Sequence, residues 1–353
     1  FNIPAIISVV ANGILILYLA IFNNKFGVKG AAIAMLIGWG TQIIIQLPAI
    51  IKKGFKYKFT IDFKDEGLKK IVKLALPILI STWVQPINNI VNIRLASGLQ
   101  GGQAVSAIEY SYNLYLIIVG VFSYTLSNII FPELSKLTVD KNENMITTLL
   151  NKSIKISLFF IIPMSVGIGI LSNEIIKVIY ERGEFTATST VLTGGALLYY
   201  AIGMIGYGLM EVLNKAFYAM QDSKTPMKIS IFSIVVNVLL SICLVKCMDF
   251  LGLPLAASIT SILTAIVMIY AINRKMNGIV NNDTFNEFAK ILFSGLLMGV
   301  CVFFIKNINF GHTIISLLIP VIAGVLVYLG AMWILKSEVI AEGKNLVISK
   351  LKK

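Results

Sequence analysis

Amide, hydroxyl and carboxyl side chains interrupt two long apolar stretches between residues 74 and 135. In the first stretch four amides recur at helical spacing and share one face of a helix: Gln85, Asn88, Asn89 and Asn92. The next stretch carries a second polar face, made of Glu109, Asn113, Gly120, Ser123 and Ser127. Because such groups cannot be satisfied in hydrocarbon, each face must meet a partner helix or a water-filled cavity. Two facing stripes would form the wall of a polar path.

Four charged residues in the apolar stretches have two interpretations each. Arg94 and Glu109 flank the turn at Gly98–Gln103, so they could form an ion pair across it. Arg94 lies opposite the amide stripe at 100° per residue, which also fits a side chain that reaches the membrane interface. Glu211 and Lys215 are spaced as a structural i, i+4 pair, and both could instead line a cavity.

The composition is that of an integral membrane protein. The chain is 57% hydrophobic and only 13% charged, and its mean hydropathy is +0.85, whereas soluble domains are about 25% charged. In a membrane protein the net charge of +13 reports orientation and contact with anionic lipids rather than binding to nucleic acid. Three cysteines and one histidine indicate neither a disulfide framework nor a metal site.

Apolar segments of about 20 residues, the length that a bilayer requires, predict an all-α polytopic membrane protein. We count ten spans, at residues 3–22, 30–51, 75–97, 104–131, 153–172, 191–215, 228–246, 252–273, 286–305 and 313–335. The lysine-rich segment 52–73 predicts a helix on the membrane surface. Placing this segment in the cytoplasm puts most of the 30 lysines and arginines on that side, together with both ends of the chain.

An internal repeat relates two helix hairpins that have the same predicted orientation. At a constant separation of 225 residues, Ser8, Asn12, Gly27, Ala31 and Ala32 recur as Ser233, Asn237, Gly252, Ala256 and Ala257. A parallel repeat is typical of two-lobed transporters. Since the second hairpin follows four spans and the first follows none, we expect four further spans before residue 1.

The repeat divides the chain into four parts. Residues 1–51 are the last helix hairpin of an N-lobe, and 52–74 are a basic amphipathic linker on the cytoplasmic side. Residues 75–275 are a complete C-lobe of six helices, and 276–353 hold two additional helices and a basic tail.

Several motifs resemble one family in their order and spacing. They are FNIPA at 1–5, YSYNLYLIIVGVFSYTLSNIIFPELS at 110–135, YERGEF at 180–185, FYAMQDSKTP at 217–226 and GLPLAAS at 252–258. Together they are similar to the lipid II flippases of the MurJ (MviN) family, in the MATE-like superfamily, from the fifth helix of the family onward.

This resemblance implies a bacterial plasma-membrane protein of peptidoglycan biosynthesis. Its substrate, lipid II, has a polyprenyl tail, an anionic pyrophosphate and a sugar-peptide head. Two lobes would rock around a polar cavity and pass the head to the outer leaflet by alternating access. The family carries cationic residues for the pyrophosphate, many on two helices that precede this chain. Where the family usually has a basic residue this chain has Asn113, which leaves hydrogen bonding to a sugar or peptide as the role expected there.

Three alternatives stay open at this point. The first is a flippase for another polyprenyl-linked polysaccharide unit, or an ion-coupled exporter of the same superfamily. The second is a membrane enzyme, for which the sequence offers no acid/base or metal cluster. The third is a scaffold that has lost transport. No cofactor is expected, and the sequence does not choose between a coupling cation and the membrane potential as the energy source.

Overall fold

All regular structure in the described part of the chain is helical. The structure is a computed structural model, and it describes residues 2–52, 54, 65–140, 142–276, 279, 281–308 and 311–342. The helices are α1 (Asn2–Ile21), α2 (Asn23–Lys52), α3 (Glu66–Thr82), α4 (Val84–Ala96), α5 (Gln103–Val139), α6 (Glu143–Ile170), α7 (Ser172–Tyr180), α8 (Ala187–Ala219), α9 (Lys224–Met248), α10 (Gly252–Lys275), α11 (Asn282–Lys306) and α12 (Thr313–Ile334).

The predicted class, an all-α membrane protein, is confirmed, but the predicted count of ten spans is not. Seven segments among the described residues are long and apolar enough to cross a membrane. One of them, Lys224–Lys275, contains both α9 and α10. The predicted span 75–97 is not one continuous helix, because α3 ends at Thr82 and α4 begins at Val84. The break lies close to Pro86, whose ring and missing N–H disfavour an uninterrupted helix.

Two compact units make up the chain, Phe1–Lys69 and Lys70–Lys353. In the first unit α1 and α2 form a hairpin, and α2 is bent at Gly27, where φ is 53°. The hydroxyl of Tyr18 donates a hydrogen bond to the carbonyl of Gly27 at 2.9 Å and secures this bend. Residues 55–64 of the predicted linker lie outside the described residues, as do residues 343–353 of the predicted basic tail.

Helix α8 is the centre of the second unit, where it packs against α5, α6, α7 and α10. Glycines let α10 approach closely: a methyl group added at Gly206 would lie 2.4 Å from the backbone nitrogen of Ile262. The hydroxyl of Ser261 donates to the carbonyl of Gly203 at 3.0 Å across the same contact. The close approach lets two membrane helices make many van der Waals contacts, which drive association where water is absent.

Helix α11 is fastened to α6 at both of its ends. At one end the amide of Asn151 donates to the carbonyl of Ile279 at 2.8 Å and to the hydroxyl of Thr284 at 2.6 Å. At the other end the ammonium of Lys306 donates to the carbonyl of Ile170 at 3.0 Å. Helix α12 packs mainly on α11, so α11 separates α12 from most of α6.

The loop between α8 and α9 is organised by Asp222. Its carboxylate accepts hydrogen bonds from the backbone N–H of Thr225 at 3.0 Å and from the Thr225 hydroxyl at 2.6 Å, and it pairs with Lys275 at the end of α10. Burial of Asp222 raises the pKa of its carboxyl, but the hydrogen bonds from Lys275 and Thr225 outweigh burial and leave the pKa below its usual value.

Replacing Asp222 by Asn is therefore expected to lower stability in a pH-dependent way. At neutral pH we expect a loss of about 1 kcal/mol, the typical value of a helix-capping carboxylate, and a lower apparent Tm of the purified protein. Because the folded pKa is depressed, this stabilisation is present above the unfolded pKa, about 3.9, and is lost as pH falls through the folded value. The difference in Tm between variant and wild type should shrink on acidification, and a pH-independent difference would contradict the assignment.

Candidate functional site

A small polar cavity of about 40 Å³ lies inside the second unit, among α4, α5, α8, α9 and α10. Three residues of the predicted amide stripe line it: Asn88, Asn89 and Asn92. The other lining residues are Tyr112, Tyr115, Tyr200, Tyr207, Met210, Ser233, Asn237, Ala257, Ser258, Thr260 and Ser261. The stripe thus faces into the helix bundle, as hydrogen-bonding groups in a membrane protein must.

Two amide oxygens in this region are buried without a hydrogen-bond partner among the described residues, Asn88 Oδ1 and Asn237 Oδ1. The side-chain N–H of Asn237 donates a long hydrogen bond to the hydroxyl of Thr260 at 3.5 Å. The hydroxyl of Ser241 donates to Asn92 Oδ1 at 3.4 Å. An unpaired buried acceptor costs free energy, so the two free oxygens favour water or another donor in the cavity. Neutral amide and hydroxyl oxygens also suit a hard cation.

Tyrosine rings form another wall of the cavity, and sequence reasoning missed them. The ring centroids of Tyr112 and Tyr200 are 5.7 Å apart, and those of Tyr115 and Tyr207 are also 5.7 Å apart. The hydroxyls of Tyr207 and Tyr124 are hydrogen-bonded at 3.1 Å. Tyr112 and Tyr115 are spaced i, i+3 on α5, and the two tyrosines of α8 are spaced i, i+7. Each of these spacings places two tyrosines on one face of their helix, and this pattern could have predicted the tyrosine wall from the sequence.

Glu109 lies half-buried beside the cavity and contacts the amide stripe. The side-chain N–H of Asn89 donates to Glu109 Oε1 at 3.2 Å. The ion pair with Arg94 that the sequence allowed is not formed: Arg94 is exposed, and within the described ranges it has no carboxylate within 4 Å. The structure therefore agrees with the interpretation that Arg94 points away from the stripe.

The second polar face is split by the packing of α5. Asn113 is exposed, whereas Ser123 is buried next to Gly208 of α8 and lines an apolar cavity with Phe122 and Ile129. The predicted polar wall does not continue to Ser123, because α8 crosses α5 there. Gln85 lies on α4, and its side chain is outside the described residues.

Glu211 and Lys215 do not form the pair that their spacing suggests. The ammonium of Lys215 lies 5.5 Å from the ring centroid of Phe131, in a cation–π contact. Glu211 is half-buried on α8, one turn from Tyr207, and has no ion pair or hydrogen bond within the part of the chain that the structure describes. The ammonium of Lys215 thus contacts an aromatic ring and lies beyond 4 Å from the Glu211 carboxylate.

An apolar groove of about 390 Å³ runs beside the same bundle, between α12 and the helices α5 and α6. Phe122, Phe160, Val325 and Leu329 are among its walls. At one point α12 contacts α6 directly, since the hydroxyl of Tyr328 donates to the carbonyl of Phe159 at 2.8 Å. The lining of the groove suits a hydrocarbon chain. Among the described residues no group of three or more His, Cys, Asp or Glu side chains could hold a metal ion.

Comparison with known proteins assigns the family. The family model described as lipid II flippase MurJ matches residues 1–324. The chain belongs to the MurJ lipid II flippase family. Probable lipid II flippases MurJ of Rickettsia prowazekii and Vibrio cholerae are 27% and 31% identical to it, over 94% and 66% of this chain. The chain spans 66% and 44% of the lengths of these two relatives.

Solved structures agree with this assignment. A lipid II flippase MurJ in an inward closed conformation is similar with a TM-score of 0.74 and 28% identity, over 94% of this chain and 67% of that one. An inward-facing multidrug resistance MATE family transporter is similar with a TM-score of 0.65 and 16% identity, over 79% of this chain and 65% of that one. At that identity the second likeness shows the MATE-like fold alone.

The unpaired oxygen of Asn88 leads to a prediction about stability. Asn88→Leu removes a buried acceptor without a partner, which typically costs about 1–3 kcal/mol, and leucine has the same branched shape and number of heavy atoms as asparagine. We expect the apparent Tm of the purified variant to stay equal to or rise above that of the wild type. Asn144→Leu, at an exposed position on α6, is the control and should leave Tm unchanged. A clear fall in Tm for Asn88→Leu alone would mean that the amide holds the fold together.

Proposed function

We propose that this protein moves lipid II from the cytoplasmic to the outer leaflet of the bacterial plasma membrane, in peptidoglycan biosynthesis. The observation that carries the proposal is the match of the MurJ family model to residues 1–324. Transport of this kind makes and breaks no covalent bond, so the protein acts as a transporter and needs no catalytic residue. This assignment takes precedence over a flippase for another polyprenyl-linked unit, an exporter, a membrane enzyme or a scaffold.

The geometry of the second unit suits the two halves of an amphiphilic substrate. The amides and tyrosine hydroxyls of the polar cavity can hydrogen-bond a small polar group of the sugar-peptide head, and that head cannot cross hydrocarbon unassisted. The apolar groove between α12 and α5/α6 can hold a polyprenyl chain while the head occupies polar surroundings. Nine of the ten residues predicted for the substrate path stay proposed for it: Gln85, Asn88, Asn89, Asn92, Arg94, Glu109, Asn113, Glu211 and Lys215. Ser123 is not proposed, because it is buried against α8.

The proposed orientation rests on charge bias. Most lysines and arginines fall on the side that holds the α8–α9 loop, and the positive side of a membrane protein faces the cytoplasm. Both Phe1 and Lys353 would then be cytoplasmic, and Glu109 would lie toward the outer leaflet.

The energy source is proposed from the unpaired oxygens. Asn88 Oδ1 and Asn237 Oδ1 are acceptors that a coupling cation or water could bind, and occupancy that differs between the two states of the lobes would bias the transport cycle. The membrane potential is the alternative driving force, because it acts on any charge that crosses the membrane with the substrate.

Complementation tests the proposed function. The complete reading frame that encodes this chain, expressed in bacteria depleted of their own lipid II flippase, should restore growth and cell shape. Purified protein in vesicles should also expose fluorescent lipid II to an external reagent, and it should do so faster than for a polyprenyl-linked sugar without a peptide. Failure of both assays at normal expression would contradict the proposal.

The Asn88→Leu variant tests whether the polar cavity takes part in transport. It should be produced and folded like the wild type yet fail to restore growth, because a polar contact in the path is lost. Asn144→Leu should restore growth fully. Equal rescue by the two variants would show that the amide stripe is not part of the path.

A further inference from the structure

Glu109 carries a carboxylate that nothing nearby neutralises. One of its oxygens accepts a hydrogen bond from Asn89 at 3.2 Å. In the described ranges no lysine, arginine or histidine nitrogen lies within 4 Å of either oxygen, and the residues that line the adjacent cavity include no basic residue. A membrane carboxylate is expensive to keep without a cation, so its presence in a transporter indicates a ligand that supplies one.

The surroundings of Glu109 favour a particular kind of cation. Asn89, which donates to the Glu109 carboxylate, lines the cavity together with Tyr112 and Tyr200, whose ring centroids are 5.7 Å apart. Tyr115 extends this aromatic wall, with its centroid 5.3 Å from that of Tyr200. Aromatic faces attract organic ammonium groups, and a carboxylate next to them adds a charge-assisted hydrogen bond. This mixed wall differs from the all-oxygen shell that a hard metal ion prefers.

The size of the cavity limits the group that can enter. About 40 Å³ holds the tip of an ammonium group and a water molecule, and it excludes a whole sugar or peptide unit. The ligand must therefore present its amine at the end of a flexible stem. A peptide with a diamino acid has such a side chain, because its second amine is free.

We propose that Glu109 and the tyrosine wall of Tyr112, Tyr115 and Tyr200 bind the free side-chain ammonium of the peptide in the transported head group. This inference rests on the proposed function and adds the chemistry by which this protein recognises its substrate. Glu109 supplies the counter-charge, Asn89 holds the carboxylate in position, and the rings exclude water and contact the alkyl stem. The site would select glycopeptide lipids with a free amine over those whose amine is acylated.

The test compares two lipid-linked glycopeptides that differ only in acetylation of the side-chain amine. Binding of each to the purified full-length protein is measured at one salt concentration. We expect the wild type to bind the free-amine lipid about tenfold or more tightly than the acetylated one, which is the factor typical of a charge-assisted hydrogen bond. Glu109→Gln should reduce this ratio to about one. The matched control is Glu133→Gln, which changes an exposed carboxylate on the same helix and should keep the wild-type ratio.

The outcomes separate this inference from the proposed function. Equal binding of both lipids by the wild type overturns the inference and leaves the proposed function standing, whereas binding of neither lipid counts against the proposed function itself. A preference that survives in Glu109→Gln also overturns the inference, because the amine is then recognised elsewhere. If Glu109→Gln does not fold, Glu109→Asp serves in its place, since moving the charge by one methylene should still lower the ratio.

Discussion

The requirement that polar groups avoid hydrocarbon determines how the second unit is arranged. Amides and hydroxyls on membrane helices must face one another or water. Asn88 and Asn92 of α4 are accordingly buried in the bundle, and Ser233 and Asn237 of α9 meet them from the opposite side. The cavity remains between them because the polar groups do not fully satisfy each other, and this incomplete pairing separates a binding surface from an ordinary packed core.

Helix α8 packs against most of the helices around the polar cavity, and α11 contributes to the apolar groove. The glycines of α8 let α10 approach closely, and Ser258 and Ser261 of this contact also line the cavity. Helix α11 is hydrogen-bonded to α6 at both ends, and residues of α6, α11 and α12 line the apolar groove. The polar cavity and the apolar groove thus occur in one compact unit, as the proposed substrate with its polar head and hydrocarbon tail would require.

The sequence predicted the features that depend on periodicity and composition. It predicted the helices, the membrane class, and the face shared by Asn88, Asn89 and Asn92, all of which follow from spacing along one chain. It also marked Ser233 and Asn237, but as members of a repeat rather than as cavity residues. Features that depend on how helices cross were not accessible: the burial of Ser123 follows from the path of α8.

The contacts of individual side chains were also difficult to predict from the sequence. The i, i+4 spacing of Glu211 and Lys215 allowed a pair, but the ring of Phe131 offers Lys215 another contact that no pattern along α8 contains. Asp222 accepts a hydrogen bond from Thr225 in the first turn of α9 and pairs with Lys275 at the end of α10, so its role depends on a residue far along the chain. The tyrosine wall consists of tyrosines from α5 and from α8, and only the packing of these two helices brings their rings together.

Accessibility of α4 to water tests the central claim most directly. In a background in which Cys243, Cys247 and Cys301 are replaced by Ala, single cysteines are placed at Asn89 and at its exposed neighbour Ile90. We predict that Asn89→Cys reacts in intact membranes with a small water-soluble thiol reagent, that added lipid II slows this reaction, and that Ile90→Cys reacts only with a lipid-soluble reagent. An unreactive Asn89→Cys, or equal reaction at both positions, would contradict a polar path along this face.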